Sequence, residues 1–225
     1  MDPHSLLACL QHADSFFPAG GIAFSWGLES LHAEGAVKTQ DDVARFVLGQ
    51  LRHRWATCDR AVLAAAHGVA ETPHALAALD ELLEAVTLAR ELREGSRRAG
   101  ASLLDVHTRL GTRCAADFRH AVRAGEALGH LPVAQGCVWR GVGLGLTECE
   151  AMSGHTQCVG LIGAALRLGV IGHLAGQEIL RSAREELGAL LARPAAALDD
   201  LHTTVPATEI ASMRHETQSA RLFAN

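Results

Sequence analysis

The chain has 225 residues, 48% of them apolar, so it is long enough to bury at least one sizeable core; aromatics make up only 4% and Tyr is absent. Ala, Leu and Gly dominate, and the first two lose least on entering a helix, so the composition leans helical. The net charge is -5, with 20 basic residues scattered among 25 acidic ones, which argues against a nucleic-acid partner.

The opening Met1-Asp2-Pro3-His4 lacks the basic segment and apolar run of a secretory signal. Leu6, Leu7, Leu10 and Ala13 recur at helical spacing, and this helix should end before the breaker cluster Phe17-Pro18-Ala19-Gly20-Gly21, leaving a tight, ordered loop. From Asp41, read as the cap, Val43, Phe46, Val47, Leu51 and Trp55 predict a long amphipathic helix running through Val62 and Leu63 towards Gly68. Thr72-Pro73 starts another, through Leu76, Leu83, Val86 and Leu92, with Thr72 able to cap; the next is expected from about Ser96 to Leu110. A weaker pattern follows Gly111 through Phe118, Val122 and Leu128, and Val133 to Leu146, Glu148 to Leu168 and Gly176 to Leu191 read as three more helices.

Glycines crowd two of these segments, Gly136, Gly141, Gly143 and Gly145 in one and Gly154, Gly160 and Gly163 in the next. Each glycine inside a helix costs about 1 kcal/mol relative to Ala, so close approach of helix backbones, in the domain centre or at a subunit contact, is the expected compensation. The apolar run from Cys158 to Gly172 is interrupted by Arg167 and falls short of a membrane span, so it reads as a core helix. Beyond Pro194 the chain turns polar into a last segment, Glu209 to Asn225. No segment alternates with period two. The expectation is an all-α, single-domain bundle of about eight to ten helices over residues 1–225, with 194–225 a polar, partly mobile and loosely attached tail.

Thirteen His and six Cys at irregular spacing suggest a reducing cytoplasm with free thiols rather than a disulfide framework. They also raise the question of metal binding, but there is no Cys-x-x-Cys and no His-Glu-x-x-His. The best pair is His155 with Cys158, three apart on one helical face; the two read first as ordinary packing residues and only second as ligands. Gly141-Val142-Gly143-Leu144-Gly145 follows no strand and lacks the third fingerprint glycine, and the single lysine, Lys38, stands in no Walker-type motif, which argues against nucleotide binding. No serine lies in a Gly-x-Ser-x-Gly turn, so hydrolase chemistry is not indicated. Arg167, set in an apolar helix, must either snorkel to the surface or pair across a contact or a polar channel.

The segment Asp14-Ser15-Phe16-Phe17-Pro18-Ala19-Gly20-Gly21-Ile22-Ala23-Phe24-Ser25-Trp26-Gly27-Leu28-Glu29 resembles the N-terminal signature of the UreF family of urease accessory proteins. His130-Leu131-Pro132-Val133, Arg167-Leu168 with Gly172 and Gly176-Gln177, and Met213-Arg214-His215-Glu216-Thr217-Gln218 with Arg221-Leu222-Phe223 resemble three further motifs of that family, in order along the chain. The resemblance implies an all-α homodimer in the cytoplasm that is not an enzyme. It also implies assembly with UreD (also called UreH) and the GTPase UreG on apo-urease, so that the complex, with no tightly bound cofactor of this chain, handles nickel. Partner contacts are then expected in the N-terminal loop, at Phe17, Pro18, Gly20, Gly21, Phe24, Ser25, Gly27 and Glu29, at Arg167, and in the tail, at Arg214, His215, Glu216, Arg221, Leu222 and Phe223. Two other roles stay open, a direct nickel-binding metallochaperone using His155 and Cys158, and a modulator of the UreG GTPase acting in trans through Glu29 or an exposed Arg.

Overall fold

The computed structural model describes residues 2–18, 24–216 and 222–223. Among the described residues eleven α-helices follow one another: α1 (Pro3–Ala13), α2 (Leu28–Ala33), α3 (Gln40–Gln50), α4 (Arg60–Gly68), α5 (Pro73–Val86), α6 (Arg90–Arg109), α7 (Ala115–Ala124), α8 (Leu131–Val142), α9 (Leu146–Arg167), α10 (His173–Leu191) and α11 (Pro206–His215). A π-helical stretch, Leu51–Asp59, joins α3 to α4 without a break, so the bundle has ten rods, and no strand occurs among the described residues. The all-α expectation is met.

Local chemistry sets the helix starts. Asp2 caps α1, accepting from the backbone N–H of His4 and Ser5 at 2.8 and 3.1 Å. α3 begins one residue before Asp41, because Thr39 is the cap and forms a reciprocal capping box with Asp42; Asp41 lies inside the first turn. Thr72 stands at the start of α5, but its side chain makes no capping bond. The break between the two central helices falls at Thr87–Ala89 rather than near Ser96, so Leu92 belongs to α6. There the Arg93 guanidinium donates to the carbonyls of Thr87 and Leu88, at 2.8 and 2.7 Å, which α5 leaves without helical partners.

A π-helix widens the backbone spiral. In Leu51–Asp59 the widening coincides with carbonyls that accept from a distant segment: Thr204 donates to His53 at 2.9 Å and His202 to Thr57 at 3.4 Å. The extended stretch before α11 is thereby sewn to the middle of the long rod, and the Thr57 hydroxyl adds a bond to the His202 carbonyl at 2.7 Å.

Two apolar clusters form the interior. The first, around Val62, Leu63, Leu104, Phe118, Val133 and Trp139, joins α4 to α8, with α1 laid on its outside. The second, around Leu28, Val47, Leu51, Trp55, Leu161 and Ile179, joins α2, α3, the later half of α9 and α10. Gly136 marks a close crossing of α8 on α4, since a Cβ there would lie 2.5 Å from the Leu63 carbonyl oxygen and 2.7 Å from Ala66 Cβ. Gly154 is similarly pressed by Leu187, so both helices do pack centrally. Gly160 and Gly163 differ, with nothing within 4 Å of an added Cβ, whereas Gly143 and Gly145 simply bound the turn between α8 and α9. All six cysteines are free, and no helix among the described residues is long and apolar enough to cross a membrane.

Candidate functional site

Three of the segments singled out in the sequence, residues 24–29, Arg167 and the described part of the tail, meet at one junction. Gly27, with φ +82°, starts α2 and brings its backbone so close to α11 that a Cβ would sit 2.9 Å from the Thr208 carbonyl oxygen and 3.0 Å from Ser212 Oγ. Two residues on, Glu29 is buried, and its carboxylate accepts from the backbone N–H of Leu222 at 2.6 Å and of Phe223 at 3.2 Å. The same carboxylate lies 3.0 Å from His215 Nε2, while His215 Nδ1 lies 2.9 Å from Glu91 of α6. One fully buried imidazole thus bridges α2 and α6, and a single carboxylate holds three groups of the C-terminal segment.

Packing completes the junction. Phe223 is 4% exposed within the second core cluster, and the Arg167 guanidinium stands 4.3 Å above its ring, a stacking worth about 0.5–2 kcal/mol. Arg167 is the last residue of α9 and its Nε donates to the Gly163 carbonyl at 3.2 Å, so it lies exposed at a helix end rather than inside an apolar helix. Gln50 donates to Thr208 Oγ1 at 2.6 Å. At the rim Arg90 pairs with Glu216 at 2.7 Å and Arg214 with Glu34 at 3.1 Å, while Leu222 is 63% exposed. Over these residues the tail packs on the body, in contrast to the loose attachment expected.

The remaining loop residues divide. Phe17 turns inward, its ring 4.8 Å from that of His12 and 5.6 Å from that of His107, and the His12 and His107 rings stack at 5.0 Å. It anchors α1 rather than reaching out. Pro18 is exposed, and its carbonyl accepts from Ser102 Oγ at 3.4 Å. Phe24 and Ser25 are buried, with Arg98 5.5 Å over the Phe24 ring. Gly20, Gly21 and Arg221 lie outside the described residues.

His155 and Cys158 line a cavity of about 30 Å³, room for a single water, together with Leu180, Ala183, Arg184 and Leu187. Burial pushes the Cys158 thiol up to about 12 and holds His155 below its ordinary value. A thiol so high is a poor source of the thiolate that soft metals need. Among the described residues no three His, Cys, Asp or Glu side chains converge as a metal centre would require.

Sequence reasoning missed Glu91 and Asp80. Asp80 is fully buried, and its carboxylate accepts from the backbone N–H of Leu128, Gly129 and His130 at 2.9, 2.7 and 2.8 Å, fixing the start of α8 at His130-Leu131-Pro132-Val133. Both are ordinary helix-face acids in the sequence, and only their distant partners reveal them.

The family model for UreF matches residues 37–184, which span α3 to most of α10. The chain belongs to the UreF family. Curated relatives extend the likeness over nearly the whole length. The urease accessory protein UreF of Arthrobacter sp. (strain FB24) is 35% identical over 223 residues, covering 96% of each chain. Those of Paenarthrobacter aurescens (strain TC1), at 32% with 96% of each covered, and Trichodesmium erythraeum (strain IMS101), at 31% with 97% of this chain and 96% of its own, are similar along the same span. All carry the name of an accessory protein, not a catalyst. In UreF terms, Glu91 and Arg167 fall within the matched model, whereas residues 24–29 and α11 are matched only through the full-length relatives.

Proposed function

We propose that this chain is a non-catalytic scaffold of urease maturation, a cytoplasmic homodimer that bridges the GTPase UreG and UreD (UreH) so that nickel, as cargo, is inserted into apo-urease. The observation that carries this reading is the junction itself. Residues 24–29, the end of α9 and the C-terminal segment come from three distant parts of the chain, yet Glu29, His215, Phe223 and Arg167 hold them together. Among the described residues nothing there is arranged as a catalytic set, since Glu29, His215 and Glu91 are spent on one another and on tail amides. Its outer side offers Leu222, Arg214 and Arg167, the mixture of apolar and guanidinium groups that interfaces favour.

Contact through Glu29 itself does not fit this arrangement, because its carboxylate is buried and engaged by the tail; it supports the surface from beneath. The same engagement removes Glu29 from a direct part in GTP hydrolysis by UreG, leaving exposed Arg167 and Arg214 for any such role. A metallochaperone reading would rest on His155 and Cys158, whose cavity has room for no more than a single water and is lined also by Arg184.

Co-expression of apo-urease with UreD, UreG and this chain tests the proposal. Wild type should restore urease activity, and Arg167→Ala together with Leu222→Asp should reduce activation at least tenfold while UreD or UreG no longer co-purifies. Full activation by that variant would remove the junction from the function. Nickel binding at micromolar affinity that is lost on His155→Ala would favour the metallochaperone instead.

A further inference from the structure

Helix α1 wears its large apolar residues on the outside. Its small residues Ala8, Cys9 and Ala13, with Phe17 beyond, pack on the first core cluster, while Leu6, Leu7 and Leu10 are 49, 63 and 60% exposed and Phe16 is 93% exposed. Positions i, i+1 and i+4 share one helical face, so the three leucines form a continuous stripe. The helix that presents them is not a fraying end. Asp2 caps it, and buried His12 stacks on His107 of α6 while its own ring packs on Phe17. Were anchoring the only requirement, the leucines would face the core and the alanines the solvent.

Charge narrows what can cover the stripe. α1 bears no Lys or Arg, Asp2 and Asp14 bracket the leucines, and the Cys9 thiol on this helix is raised by burial first and then by the charge of Glu148 at the start of α9. A second copy laid antiparallel on this face would set Asp2 against Asp14 of its partner, and a parallel one would set like against like. Both arrangements oppose carboxylates at the ends of a small apolar contact. We propose that the Leu6, Leu7 and Leu10 face of α1 docks a different protein, through an apolar strip flanked by Lys or Arg. The inference rests on the scaffold reading and adds a second interface to it, since α1 lies on the first core cluster and the junction on the second.

The test titrates purified UreD, UreG and apo-urease separately onto the full-length chain at low and at high salt, by calorimetry. Three forms are compared: the parent, the double variant Leu7→Asp with Leu10→Asp, and Asp14→Asn, which keeps the acceptor for the Phe16 N–H and removes the charge. For one of the three proteins the double variant should lose on the order of 100-fold in affinity, with the other two unaffected, and Asp14→Asn should lose a few-fold at low salt only. The replaced leucines are exposed, so the melting temperature should hold; if the aspartates disturb folding, Leu7→Ser with Leu10→Ser repeats the comparison. Parental affinity of the double variant for all three proteins overturns the proposal. So does a double variant that loses its dimer but keeps every partner, because the occupant is then a second copy. A parent that binds none of the three defeats the scaffold reading and this inference together, a result distinct from a parent that binds and a variant that binds equally.

Discussion

His12 and His107 show how a single residue type can carry a pH dependence in this fold. Both rings are buried and stacked, and burial holds His107 down at about 4, with His12 also below its ordinary value. Between about pH 6.5 and 4 the unfolded chain binds a proton at His107 that the folded chain refuses, so stability falls as pH falls through that window. His130, likewise held at about 4 by burial, acts in the same direction. Asp80, pushed up to about 6, acts in the opposite one, because there the folded chain keeps the extra proton. A single variant separates the contributions. Urea unfolding at about pH 7 and pH 5 should show the parent losing roughly 2 kcal/mol more than His107→Gln over that interval. Equal losses would mean that His107 accepts its proton without leaving its stack. None of this is visible in the sequence, where His12 and His107 are two of thirteen histidines 95 positions apart by number. Asp80 is hidden in the same way, because its partners are backbone groups 48 to 50 positions away.

Helices were legible at the level of elements because their apolar spacing is a local property. The places where the reading missed are those decided by contacts between elements. The α5–α6 break at Thr87–Ala89 contains no Gly or Pro and is stabilised by Arg93 reaching back to two carbonyls. The π-helical stretch has the same apolar spacing as its flanks, yet pairs with residues 202–204 from the far end of the chain. α2 is six residues long and begins within the last two residues of a glycine-rich signature that reads as loop. Spacing in α1 identified a helix but not which face turns inward, since Leu6, Leu7 and Leu10 are exposed. Glycine content raised the right question and left the answer to geometry, which gives opposite predictions for two substitutions. Gly136→Ala must push α8 off α4 against the Leu63 carbonyl and should cost about 2–4 kcal/mol. Gly160→Ala meets nothing within 4 Å in a helix interior and should gain about 0.5–1 kcal/mol. Thermal melts of the two variants check both signs, and two losses of similar size would show that Gly160 is covered by a neighbour.

On the scale of the whole molecule, the C-terminal segment closes the structure by linking both ends of the sequence to its middle. Polar composition after Pro194 suggests little to bury, but Phe223, Ala211 and His215 are nearly or wholly buried, and the acceptors that hold the segment are on α2 and α6. Local composition cannot report a carboxylate nearly two hundred positions away. Of the described residues beyond Pro194 only Phe223 belongs to the buried set of either core cluster, so opening the segment need not unfold the bundle, and its local stability should be separable from the global one. Hydrogen exchange of the α11 amides measures that opening directly. Phe223→Ala should speed exchange there by about 10-fold or more and leave the α4 and α8 amides unchanged, because those belong to the other core cluster. Arg167→Ala should speed it less. In the double variant the effects should fall short of additive by about 1 kcal/mol, the coupling expected of a guanidinium stacked on an aromatic ring. Strict additivity would separate Arg167 from the tail, and faster exchange in α4 and α8 would make the C-terminal segment part of the global fold instead of a locally opening unit.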